Sequence, residues 1–157
     1  MKTNEFTIWD VQREALEAEK RIKGYVRETP LEYDFYLSQL GECSVFLKLE
    51  SLQLTGSFKL RGAFNRLLTL NGRERETGVV TASSGNHGAA FTYAAKKLGY
   101  GGVVVVPENV SPAKLDMLRC YGAEVVFTAR MRLIPKPLPG RWQRNRVRHL
   151  FHLIMIP

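Results

Sequence analysis

Sulfur is scarce here: of 157 residues only Cys43 and Cys120 are cysteines, so a disulfide-stapled scaffold is excluded and one pair at most can form. Long apolar runs are missing as well. Val103 to Val106 is the longest, and the apolar stretch from Leu150 to Pro157 is broken by His152. Neither approaches the roughly 20 residues a membrane-crossing helix needs. The opening Met-Lys-Thr-Asn-Glu-Phe has no apolar leader core, so a cytoplasmic protein with reduced thiols is expected. Acidic residues vanish toward the end. Met1 to Phe127 holds 16 Lys plus Arg against 15 Asp plus Glu, whereas Thr128 to Pro157 holds seven basic residues and no acid. The net charge of +8 is therefore almost wholly a property of the tail. Pro135, Pro137, Pro139 and Pro157 also lie there, and each removes a backbone donor, so no regular element is expected across 135 to 139.

What remains is patterned. Ile8, Val11, Ala15, Leu16, Ala18 and Ile22 recur at helical spacing, with Thr7 available as a cap and Gly24 suited to the end. Thr29-Pro30 imposes extended backbone, and Val45 to Leu49 reads as a strand. From Ser57 helical spacing returns, with Phe58, Ala63, Phe64, Leu67, Leu68 and Leu70 on the expected buried side and Asn71-Gly72 as a stop. Gly78 to Ala82, Val103 to Val106 and Glu124 to Phe127 read as strands. A helix is expected after Ser83 to His87, and another from Ser111-Pro112 with proline in its first turn. This alternation predicts a parallel sheet flanked by helices, an α/β architecture.

Two segments carry chemistry. Glu50 to Ala63 places Lys59 at a loop-to-helix junction among small and apolar neighbours. A lysine that attacks an aldehyde needs partial desolvation to expose its lone pair, and Phe58 and Leu60 are placed to supply it. Thr81-Ala82-Ser83-Ser84-Gly85-Asn86-His87-Gly88 follows a strand and opens a helix, at the carboxyl edge where ligands collect in parallel sheets. Helix-start amides and the Ser83 and Ser84 hydroxyls offer donors to a carboxylate, and Gly85 and Gly88 leave room for close approach. Taken alone, that loop also reads as an ordinary cap and turn, His87 as a packed histidine and Arg61 as an ion-pair partner. His149 and His152 have no Cys, Asp or Glu beside them, so no metal site is expected.

Together these motifs resemble the serine/threonine dehydratases, the fold type II pyridoxal-phosphate (PLP) enzymes that include serine racemase. Thr29-Pro30-Leu31 and Lys114-Leu115-Asp116-Met117-Leu118 resemble further family motifs, and the likeness extends over about residues 20 to 127. The resemblance implies a tryptophan synthase β-like PLP fold, here incomplete. It implies that Lys59 carries PLP as a Schiff base and then serves as base at the substrate Cα. Phe58 and Asn86 would contact the cofactor, Asn86 donating to its ring oxygen. Ser83, Ser84, Gly85, Asn86 and His87 would bind the substrate carboxylate. The implied reaction is β-elimination from threonine or serine to a 2-oxo acid and ammonia. Racemisation shares its first proton transfer, with Ser84 as the acid/base on the opposite face, and stays open.

The family's glycine-rich phosphate loop has no counterpart in this sequence, since Gly101-Gly102 precedes a strand instead of linking strand to helix. The expected organisation is residues 1–51 as part of a large PLP domain, 52–127 as a small α/β domain, and 128–157 as a disordered, basic tail without homology. A truncated or frame-shifted product is one account of that tail. A basic-tail module for RNA or anionic lipid is another, without a nucleic-acid motif to support it. A homo-oligomer is a further implication of the resemblance.

Overall fold

The computed structural model describes residues 7–128. Helix α1 (Ile8–Ile22) starts where expected: the Thr7 side chain accepts from the Asp10 amide, and the Asp10 carboxylate accepts in return from the Thr7 amide at 2.9 Å. This reciprocal cap satisfies two otherwise free donors. Its apolar residues are not buried as the spacing suggests. Ile8, Val11 and Leu16 are exposed and only Ile22 enters the core.

Strand β1 (Leu31–Tyr33) pairs antiparallel with β2 (Phe46–Lys48), Glu32 opposite Leu47. Helix α2 (Phe35–Gly41) lies between them in the chain, capped by Asp34, whose carboxylate accepts from the Leu37 amide at 2.8 Å. The sequence pattern did not announce β1 or α2. Both are short and carry exposed side chains, so no periodic burial marks them.

The main layer is a parallel sheet of order β3-β4-β5, formed by Val79–Ala82, Gly102–Pro107 and Glu124–Thr128. Helices α5 (Asn86–Lys97) and α6 (Pro112–Cys120) make the crossovers. Helix α3 (Lys59–Leu68) packs against α5, and Leu60, Ala63, Phe64 and Leu67 are buried with Phe91, Ala94, Val104, Val106 and Leu118. The small side chains of α5 permit this close approach. Phe58 departs from the expected buried face: it is 59% exposed, because 60, 63, 64 and 67 share one side of the helix and 58 falls on the other. Asn71-Gly72 is not the stop of α3, which ends earlier, at Leu68 with Thr69 as its cap. Asn71 instead starts a further helix, α4 (Gly72–Thr77), through a reciprocal cap with Glu74. Of the tail expected from residue 128, only Thr128 is described, as the last residue of β5. The proline segment, His149 and His152 lie outside the described residues.

Candidate active site

The two motif segments meet where α3 and α5 begin. A single 3-10 turn, Glu50–Leu52, leads to Gln53, whose carbonyl accepts from the Gly56 amide at 2.8 Å. Gly56 has φ +71°, a conformation that disfavours a Cβ, and the chain reverses there into α3. Lys59 is the first residue of that helix and is half-buried. Its Nζ lies 4.9 Å from the centre of the Phe58 ring, so an aromatic face replaces part of its water. Leu60, the other expected neighbour, is fully buried.

On the other side, β3 ends at Ala82 and the loop Ser83 to Gly85 turns into α5, with the Gly85 amide donating to Ser83 Oγ at 3.3 Å. Gly88 is required for packing. A Cβ there would run into the Ser83 carbonyl oxygen and come within 3.1 Å of its carbon and 3.2 Å of Leu118 Cδ2. No side chain caps α5. Its first amides are therefore open to a ligand anion at the positive end of the helix. Ser83, Ser84 and Gly85 are half-buried and Asn86 is exposed.

His87 ties the two segments together. Burial pushes its imidazole below the ordinary value, and the charge of nearby Lys59 pushes it the same way. A neutral ring at physiological pH results. Its Nε2 is buried without a hydrogen-bond partner among the described residues, as are Thr55 Oγ1, Ser57 Oγ and Thr81 Oγ1. All four orphaned atoms belong to the two motif segments or to the strand feeding one of them. Orphaned buried groups are uncommon in native folds, and each of these is open to a water or a ligand atom. Ser84 and Asn86 are brought to the same loop as His87, while Lys59 approaches from the start of the neighbouring helix.

A family model described as pyridoxal-phosphate dependent enzyme matches residues 22–145. The chain belongs to that family. The matched range runs past Phe127, where the sequence motifs stop. Among curated relatives, a catabolic L-threonine dehydratase of Staphylococcus aureus is 41% identical over 132 residues, covering 81% of this chain and 38% of that protein. A serine racemase from Dictyostelium discoideum has a similar structure, with TM-score 0.70, 43% identity, and coverage of 73% of this chain and 38% of its own. A threonine deaminase from T.th. matches at TM-score 0.64 and 38% identity, over 85% of this chain and 38% of its own. The chain thus spans well under half the length of these PLP-family relatives.

The residues at the start of α3 and α5 fit one end of PLP. A half-buried amine over an aromatic face and a loop of open donors suit an aldehyde and its ring oxygen. The phosphate finds no such holder among the described residues. Gly102, in the one adjacent glycine pair, faces Ala95 and Phe91 and serves packing. No group of three or more metal-ligating side chains occurs among the described residues.

Arg61 is the ion-pair partner expected of it, and sequence reasoning missed only that Glu50 is the acid, with Thr29 joining the pair and Gln53 bonding nearby Arg27. The available signal was electrostatic: two cations, Lys59 and Arg61, stand in the first turn of a helix with no acid of its own.

Proposed function

We propose that this chain carries the lysine-bearing part of a PLP-dependent lyase that deaminates threonine or serine to a 2-oxo acid and ammonia. The observation that carries the reading is Lys59, half-buried over the Phe58 ring in the first turn of α3, a helix packed on α5, whose start has no side-chain cap. When bound, PLP makes the substrate Cα proton removable by drawing electron density from that carbon. Lys59 Nζ would hold the cofactor by its aldehyde, and as a free amine it would accept the Cα proton. The α5 amides with Ser83, Ser84 and Gly85 bind and orient the substrate carboxylate, which fixes Cα against Lys59. Asn86 would donate to the cofactor ring oxygen, and the Phe58 ring covers one side of the amine. Neutral His87 adds no second positive charge that would hinder proton transfer at Nζ.

Residues 1–51 are assigned to a large PLP domain and 52–127 to the small one, with the exposed apolar faces of α1 and β1–β2 left for the large domain to cover. A cytoplasmic homo-oligomer is the setting proposed; among the described residues no helix is long and apolar enough to cross a membrane. A second reading, amino-acid racemisation, is favoured by likeness to serine racemase and by Ser84, which would return a proton to the opposite face of Cα.

Titration of the purified chain with PLP, followed by borohydride reduction and peptide mapping, tests the site. The expected result is saturable labelling at Lys59 that is lost in Lys59→Ala. Uniform weak labelling of many lysines would refute the assignment. Chirality and 2-oxo acid assays on threonine and serine separate elimination from racemisation.

A further inference from the structure

The first turn of α3 is electrostatically ill-provided. It carries Lys59 and Arg61, no acidic residue and no side-chain cap, and the positive end of a helix disfavours cations. Compensation comes from outside the helix. Glu50 accepts from Arg61 Nε at 2.9 Å and from Arg61 Nη2 at 2.7 Å. This two-pronged pair has only 32% of the arginine and 15% of the glutamate side chain exposed, so water screens it less than a surface pair.

The same guanidinium reaches the Arg27 carbonyl at 3.2 Å and Thr29 Oγ1 at 3.4 Å. The Thr29 hydroxyl donates to Glu50, and Lys48 Nζ donates to the Thr29 carbonyl at 2.6 Å. Buried Gln53 accepts from the Arg27 amide at 2.9 Å and donates to the Arg27 carbonyl at 3.0 Å, as a neighbouring strand would. Residues 27–29 and 48–53 are thereby pinned to the helix start, two positions from Lys59.

We propose that Glu50 and Arg61 are positioning residues for Lys59: the pair neutralises the first turn of α3 and fixes it on the loop, holding the amine toward α5. The inference rests on the reading of Lys59 as the cofactor lysine. Without Glu50, two cations and the helix end repel one another, the first turn opens, and the amine loses its fixed direction.

The test uses the full chain with PLP as probe, borohydride reduction and mapping, under conditions where circular dichroism shows each variant folded. The readout is labelling at Lys59 relative to the exposed Lys97 and Lys114. In Glu50→Gln, which keeps shape and removes charge, this ratio is expected to fall about tenfold to a hundredfold, the scale of a small misplacement of a reacting group. Arg61→Lys, which keeps charge and loses the fork, should lie between that variant and the native chain. A merely structural role would lower the melting temperature and leave the ratio among folded molecules unchanged, and that result overturns the proposal. If Glu50→Gln does not fold, an unchanged ratio in both Arg61→Lys and Thr29→Val overturns it equally. Native protein without preference for Lys59 would sink the functional reading, and this inference with it, before any variant is compared.

Discussion

Residues 57–128 and residues 7–49 are both rich in apolar side chains, yet they spend them differently. Every buried hydrophobic residue of the core except Ile22 lies between Leu60 and Leu118. Before that, Trp9, Leu31, Phe35, Tyr36, Leu40 and Phe46 are exposed. The difference lies in layering, because β3, β4 and β5 are covered by the helices that connect or flank them, whereas β1 and β2 are three residues each, with every position exposed. Apolar composition alone makes no core; a second layer does. The first region leaves its apolar side chains exposed, and only Ile22, with Tyr25 and Val26 beside it, joins the core of the second.

The sharpest way to break this comparison is a pair of identical substitutions. Phe64→Ala removes a fully buried ring that touches Tyr25 and Tyr93, and should cost about 3–5 kcal/mol in urea unfolding. Phe46→Ala, on exposed β2, should stay within about 0.5 kcal/mol. Equal costs would show that the β1–β2 region is packed in solution.

Next in size is Gly88→Ala, expected to cost about 1–3 kcal/mol because the added methyl meets the backbone of Ser83. A neutral result would mean that the loop before α5 shifts freely, against its description as a fixed donor array.

The smallest expected effect is on pH dependence. His87 has its folded-state value lowered from 6.5, by burial first and then by the charge of Lys59. Glu50 is lowered from 4.5, first by the hydrogen bonds from Arg61. In both cases the folded state binds fewer protons than the unfolded chain over the shifted window. The stability is thus present above the ordinary value and is lost as pH falls through the folded one. Melting temperature should therefore begin to drop below about pH 6.5, with a further component below about 4.5. His87→Asn should remove the first component and keep the second, and an unchanged first component would place the titration elsewhere.

How far the sequence shows these regions follows the same division. Val103 to Val106 and Ser111-Pro112 are legible because a β-branched run and a first-turn proline act locally. The parallel order of β3, β4 and β5 follows from strand and helix alternation. Strand β2 is legible within Val45 to Leu49, whereas β1 and its pairing are not, since Glu32 and Leu47 are joined only by long-range pairing without alternating burial. Asn71-Gly72 reads as a stop because the glycine dominates that pattern, and the role of Asn71 in starting α4 depends on Glu74 three residues on. At the site, Lys59 and the Ser83 to His87 loop stand out by motif. Counting from the motif instead of from the helix start puts Phe58 on the wrong face, and Glu50 escapes notice because its partner, Arg61, lies across a turn.

The strands of the parallel sheet are laid down in chain order, each beside the one before. A growing polypeptide can therefore shape the Ser83 to His87 loop as soon as β4 docks on β3, with no strand still to be inserted between them. That docking must first close the loop containing α5, an entropic cost that parallel pairing always carries. β5 then pairs only with β4, on the side away from the strand that feeds this loop.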